Sequence, residues 1–252
     1  MGTAIVEGLL KSGFSKPADI TVTKRNVSTL SDLKDRGVKV INDNDKAVQN
    51  SEIIILAIKP FQVEDVLGSI AKHLTSKHIL ISVLTGVFIK DMQSIVKTKL
   101  AFFRAMPNTA IAIQESMTCL SCVNATEAQI KLVEDLFTTV GKVVVIEEKL
   151  MDAATVLGAC GTAYAMRYVR ANIQGGIEIG FDAKTASLIA AQTVKGAAEL
   201  LLQKGSHPEQ EIDKVTTPKG CTIAGLNEME HQGFSSSLIK GIATSYEKIV
   251  KG

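Results

Sequence analysis

Tryptophan is absent from the 252-residue chain, and its three Tyr and eight Phe do not interleave with basic clusters. Lys+Arg 28 against Asp+Glu 26 leaves a net charge of only +2, so nucleic acid is excluded as a partner and a small molecule is expected instead. Four Cys in so long a chain, with no signal-like opening, exclude a disulfide scaffold and lead us to expect a cytoplasmic location. Apolar runs all stop short of the ~20 residues that cross a bilayer. Asp152, Arg167 and Arg170 bracket the longest of them.

Metal chemistry is equally unsupported. The four His, at 73, 78, 207 and 231, are scattered and read as surface or capping residues. Cys119 and Cys122 form a lone C-x-x-C whose odd spacing on a strand sends the two thiols to opposite faces. No G-x-S-x-G and no Walker loop occurs, which removes the usual support for nucleophilic hydrolysis and phosphoryl transfer.

The composition, 46% hydrophobic and 21% charged, is that of a folded globular chain, and its length suits two domains. Residues 1–148 alternate short aliphatic runs with helix-length polar spacers, the rhythm of a parallel sheet covered by helices. Strands are expected at 20–24, 38–41, 53–57, 79–84 and 102–105, with 117–123 and 143–146 as extensions, and a helix at 127–140. From 149 to 252 the alternation stops. Two Ala-rich stretches, 151–174 and 183–204, read as long helices, the segment 211–222 breaks the run at Pro218 and Gly220, and 224–229 and 236–250 resume it. Ala154, Gly158, Gly161 and Ala165 fall three or four apart and predict a helix face that admits another backbone closely.

Several segments carry potential chemistry. Met1-Gly2-Thr3-Ala4-Ile5 opens directly into a helix, where a dinucleotide fold needs a strand and a glycine turn first; Gly2 stands where the third glycine of G-x-G-x-x-G would. The first predicted strand ends in Thr23-Lys24-Arg25, cationic and hydroxyl groups that suit a ribose 2′-phosphate better than the acidic residue typical of NAD sites. Ala57-Ile58-Lys59-Pro60 and Arg104-Ala105-Met106-Pro107-Asn108-Thr109 each follow the carboxyl end of a predicted strand, where open α/β sheets bind ligands. Val215-Thr216-Thr217-Pro218-Lys219-Gly220-Cys221-Thr222 offers hydroxyls and free amides just before a helix, an arrangement suited to a carboxylate.

Those last three segments, in their order and spacing, closely resemble the signatures of the pyrroline-5-carboxylate reductase family. The likeness extends over essentially the whole chain, through Asp152-Ala153-Ala154-Thr155, Gly196-Ala197-Ala198 and His207-Pro208. It implies a Rossmann-type α/β domain at 1–148 followed by an all-helical domain for dimerisation and substrate binding at 149–252. The implied reaction is NAD(P)H-dependent reduction of 1-pyrroline-5-carboxylate to proline by a homodimer or larger homo-oligomer, with NADPH as cofactor and NADH as an alternative. By the same resemblance Thr23, Lys24, Arg25 and Asn44 surround the adenosine ribose and its phosphate. Gly2 counts among the cofactor-binding residues as the glycine that lets the helix pack close on the sheet, and Ala57, Lys59, Asn108 and Thr109 line the nicotinamide half. Thr217, Gly220, Cys221 and Thr222 clasp the substrate carboxylate, with the Thr222 hydroxyl near the ring nitrogen and Lys59 adding positive potential.

Two departures from the family stand out: Lys219 and Cys221 replace its usual Gly and Thr, and the chain opens at the Met-Gly with which the family's glycine turn closes, so we expect the first strand to be missing. Two other readings fit parts of the sequence. A 3-hydroxyacid dehydrogenase has a G-x-x-x-K-x-x-x-N helix, but from Gly161 that register meets Ala165 and Val169. A non-catalytic dinucleotide-binding protein would tolerate the incomplete phosphate turn.

Overall fold

Short β-branched runs pair because their side chains can be buried on both faces of a sheet. In a computed structural model, which describes residues 1–251, the chain forms two compact units, residues 1–159 and 160 onward. The first unit runs α1 (Gly2–Ser12), β1 (Thr21–Thr23), α2 (Ser31–Asp35), β2 (Lys39–Ile41), α3 (Asn44–Gln49) and β3 (Ile53–Leu56). It continues with α4 (Val63–Ile70), β4 (Ile79–Ser82), α5 (Ile89–Ile95), β5 (Ala101–Met106), β6 (Ser116–Val123), α6 (Glu127–Thr138), β7 (Gly141–Val145) and α7 (Met151–Ala154). The strands fall within one or two residues of the expected ones.

The sheet is in two pieces. β1 pairs only with β2, in parallel with Thr23 opposite Ile41, while β3 to β7 form a five-stranded sheet in chain order. β3, β4 and β5 are parallel, as the rhythm predicted, but β6 runs antiparallel to β5, with β7 parallel to β6. The reversal has a simple cause: residues 107–115 are too few for the crossover of a dozen or more residues that a parallel return requires. No ladder joins β1 to β3. Ile53, Ile54 and Ile55 of β3 are only half-buried, whereas every residue of β4 and β5 is buried.

Two cores sandwich the larger sheet. Ile79, Ile81 and Phe103 pack with Ile5 and Leu9 of α1 and Val133 and Phe137 of α6; Leu80 and Phe102 pack on the other face with Leu67, Ile70 and Met92 of α4 and α5. Helix α1 comes so close to the sheet that a Cβ on Gly8 would overlap the Val140 side chain, so only glycine fits there.

The second unit is all helical: α8 (Gly161–Glu178), α9 (Ala183–Lys204), α10 (Pro208–Lys214), α11 (Cys221–His231) and α12 (Phe234–Lys251). α8 and α9 approach closely, a Cβ on Gly176 falling 3.2 Å from that of Ala186. Tyr164 Oη and Ser245 Oγ lie 2.6 Å apart, and the Tyr168 and Phe234 rings meet edge to face, tying α8 to α12. Two expectations need correction. The helix expected over 151–174 is interrupted by a π-helical stretch at Thr155–Cys160, whose extra residue per turn breaks the single stripe predicted for Ala154, Gly158, Gly161 and Ala165. The break expected over 211–222 is shorter, because Pro208 at the first turn and His207 as N-cap nucleate α10 through residue 214.

Candidate active site

In the first unit the proposed cofactor residues cluster at strand carboxyl ends. Gly2 is the first residue of α1, and a Cβ there would stand 3.2 Å from Ala57 Cβ, just past β3. The helix N-terminus, with no side chain capping it and no acidic residue in its first turn, thus lies hard against the strand end, with open amides and a positive dipole. A glycine at this close helix–strand approach is what the third glycine of a dinucleotide turn supplies, and the open helix amides beside it suit a pyrophosphate. Ala57 and Lys59 are exposed; the Lys59 amide donates to Gln62 Oε1 at 3.1 Å, and its ammonium forms no ion pair among the described residues.

Thr23 closes β1, followed by exposed Lys24 and Arg25, while the Lys24 amide donates to the Ile41 carbonyl at 3.2 Å. Asn44 opens α3, whose N-terminus Asp43 caps by accepting from the Lys46 amide at 3.0 Å. The next residue, Asp45, meets Lys72 Nζ at 3.0 Å and His73 Nε2 at 3.2 Å. Lys72 first, and then His73, hold its carboxyl below the ordinary aspartate value. A depressed folded value adds stability above the unfolded pKa and loses it as pH falls through the folded one. Asp45→Asn is therefore expected to melt below the parent chain at pH 7, with the gap closing below about pH 4; a gap independent of pH would refute the coupling.

Asn108 and Thr109 follow β5, and Thr109 is exposed. Asn108 is more committed than the sequence suggested. Its Oδ1 accepts from the Ala110 amide at 3.0 Å, its Nδ2 donates to the Gly158 carbonyl at 3.1 Å, and its own amide donates to Ser116 Oγ at 3.0 Å. One N–H and one lone pair remain for a ligand.

In the second unit, Thr217 to Gly220 form a tight turn closed by the Gly220 amide on the Thr217 carbonyl at 2.9 Å. Pro218 fixes a negative φ and Lys219 has φ 60°, which makes this a type II turn with a lysine where Gly or Asn belongs. Gly220 is required for space, since a Cβ would collide with Thr217 Oγ1. As N-cap of α11 it provides no side-chain acceptor, and no acidic residue enters the first turn. The amides of Cys221 and Thr222 therefore face an uncapped, positive helix end, with the thiol exposed and Thr222 half-buried. Left-handed backbone costs a residue with a Cβ roughly 1–2 kcal/mol. Lys219→Gly should thus stabilise the chain by about 0.5–1 kcal/mol once glycine's unfolded entropy is counted. Urea unfolding checks this, and a lower midpoint would refute it.

The first unit brings Gly2 and Ala57 into contact, and the second gathers Thr217, Gly220, Cys221 and Thr222 into one turn. The remaining candidate residues follow the ends of β1, β3 and β5, except Asn44, which opens α3 after β2. Cys119 and Cys122 are free thiols on β6, and burial raises the pKa of both. His207 caps α10, in line with the surface-or-capping reading, whereas His78 is buried and its Nδ1 accepts from the Thr75 amide at 2.9 Å in the turn before β4. Sequence reasoning quoted Arg104 only as the start of a segment and passed over Glu148 and Phe88. A lone cation inside the apolar run Ala101–Met106 was the available signal.

Comparison with known proteins gives consistent relatives. Residues 148–251 match the profile for pyrroline-5-carboxylate reductase dimerisation, and residues 1–86 that for NADP oxidoreductase, coenzyme F420-dependent. Pyrroline-5-carboxylate reductase 1 of Dictyostelium discoideum is 46% identical over 98% of this chain, which spans 47% of that protein's length. Pyrroline-5-carboxylate reductase 2 of the same organism is 42% identical over the whole chain and 89% of its own length. Among solved structures, a pyrroline-5-carboxylate reductase from Coxiella burnetii superposes with a TM-score of 0.93 at 27% identity, covering 99% of this chain and 94% of that one. The Plasmodium falciparum pyrroline carboxylate reductase, solved with NADP bound, gives 0.85 at 25% identity, covering 99% and 93%.

Proposed function

The chain belongs to the pyrroline-5-carboxylate reductase family, and on that premise we propose that it reduces 1-pyrroline-5-carboxylate to proline with NADPH. The observation that carries the reading is the turn at 217–222, which presents bare amides and a threonine hydroxyl at an uncapped helix end. Those amides pair with the substrate carboxylate at the helix N-terminus. NADPH, when bound, supplies the hydride.

The chain's own residues bind and orient. Thr23, Lys24, Arg25 and Asn44 hold the adenosine ribose and its 2′-phosphate, the exposed cations matching the extra charge. Gly2 admits the pyrophosphate, while Ala57, Lys59, Asn108 and Thr109 bound the nicotinamide half. Lys59 raises the positive potential that draws in two anionic reactants. Thr217, Gly220, Cys221 and Thr222 hold the substrate, with the Thr222 hydroxyl bonded to its ring nitrogen. A cyclic imine is readily protonated in water, so the site needs no strong acid, and alignment of two flat rings supplies most of the acceleration.

We take the domain boundary at 148/149; the dimerisation match over 148–251 supports it, while the compact first unit extends to 159 and takes in the start of that segment. We read the helical unit as the interface of a homodimer, a reading its open helix surfaces support. None of α8, α10, α11 and α12 has a buried residue, and α9 buries only Ala186 and Ala190. The large apolar side chains these helices leave open make a second copy the expected cover; no helix among the described residues is long and apolar enough to cross a membrane. The protein is read as cytoplasmic, with neither nucleic acid nor membrane as a partner. The test is loss of NADPH absorbance at 340 nm on adding pyrroline-5-carboxylate, with proline identified as product; NADPH binding without turnover would favour a binding protein.

A further inference from the structure

Arg104 is the one charged residue of β5, and it is 1% exposed on the sheet face that also carries Phe102. A buried guanidinium is costly, and a leucine would pack the same space, so its retention calls for a task. Its Nη1 lies 3.3 Å from Glu148 Oε1 and its guanidinium carbon 4.7 Å from the Phe88 ring centre, while Nε and Nη2 have no hydrogen-bond partner among the described residues. The same Glu148 oxygen accepts from the Ile89 amide at 2.7 Å, at the first residue of α5.

One carboxylate thus ties together the segment after β4, the strand that delivers Asn108 and Thr109, and the chain just past β7. Farther along, Asn108 Nδ2 grips the Gly158 carbonyl. The stretch 148–158 is therefore pinned at both ends to β5 and the loop that follows it.

We infer that Arg104 and Glu148 are positioning residues, which set the Asn108–Thr109 loop for the reaction without touching either reactant. The inference rests on the reductase reading above. Without the charge of Glu148 the cation is buried and uncompensated; without both charges the core is restored, but the latch is gone.

The experiment compares Glu148→Gln, Arg104→Met and the double variant by thermal melting, NADPH affinity, kcat, and hydrogen exchange of the Met106, Asn108 and Thr109 amides. Glu148→Gln preserves shape and the bond to Ile89, so it remains folded. Each single variant should lose tenfold or more in kcat with NADPH affinity within threefold of the parent. The double variant should regain melting temperature while kcat stays low and exchange at 106–109 stays fast. Recovery of kcat together with melting temperature, or unchanged exchange in all three, would overturn the inference. If the parent chain itself does not turn over, the reductase reading fails, and exchange at 106–109 still decides the latch.

Discussion

A chain extended ahead of Met1 by a five-residue apolar strand and a Gly-x-Gly turn is expected to melt roughly 10–20 °C higher than the parent and to bind NADPH at least tenfold more tightly. The reason lies in the break between β1 and β3. Each of those strands pairs on one side only, and β3 leaves three isoleucines half-buried where its neighbour β4 is wholly buried. Unpaired ladder groups at such an edge depend on water for their hydrogen bonds. A strand between them would pair on both sides and complete the burial of Ile53, Ile54 and Ile55. Burial of five aliphatic side chains at about 2 kcal/mol each and completion of the three isoleucines at about 1 kcal/mol each, less ordering of the eight added residues at about 1 kcal/mol each, leaves roughly 5 kcal/mol. At 2–4 °C per kcal/mol that gives the stated shift.

The affinity gain comes from the added turn, which contributes amides beside those at the N-terminus of α1 that already face Ala57. One or two charge-assisted bonds to a pyrophosphate suffice for tenfold. Differential scanning calorimetry and a fluorescence titration check the pair of effects. Equal melting temperatures would refute the view of β1 and β3 as open edges, and an extension carrying proline in mid-strand should fail to reproduce the gain.

Much of this architecture was legible because burial on two faces selects β-branched runs, and Ile53–Leu56 and Ile79–Ser82 can be little else. The helices of the second unit were legible from Ala content and from Pro218 and Gly220 as punctuation, although α10, which starts at Pro208, was not. What was not legible depends on tertiary contacts. The π-helical stretch at Thr155–Cys160 has no signature in residues that are all tolerable in an α-helix; it becomes visible only with the Asn108 side chain bonded to Gly158. The reversal of β6 depends on connection length, which a list of strands does not weigh. For the site, segment spacing located the residues, but the double engagement of Asn108 and the Arg104–Glu148 pair join positions 50 and 44 residues apart, beyond the reach of local pattern.

Replacing two apolar residues of the helical unit with acids, Leu188→Glu on α9 and Ile239→Glu on α12, is expected to convert the protein from dimer to monomer at micromolar concentration and to abolish turnover. Both side chains are large and open in the single chain, at 71% and 66% exposure. They belong to helices that leave nearly all of their side chains open: α12 buries none, and α9 buries only Ala186 and Ala190. Covered by a second copy, each would gain about 1.5–3 kcal/mol from burial. An acid at either place forfeits that gain and adds a carboxylate to an apolar contact. The double change should then weaken association by at least 4 kcal/mol, about a thousandfold. Light scattering after size exclusion reads the mass directly, and Lys34→Glu, on exposed α2 of the first unit, should leave it unchanged. Loss of activity is expected alongside, because helices that shed their cover would no longer hold the 217–222 turn and its threonine hydroxyl in place. A variant that stays dimeric would place the interface elsewhere on the unit; a monomer with full turnover would show that the site is complete within one chain.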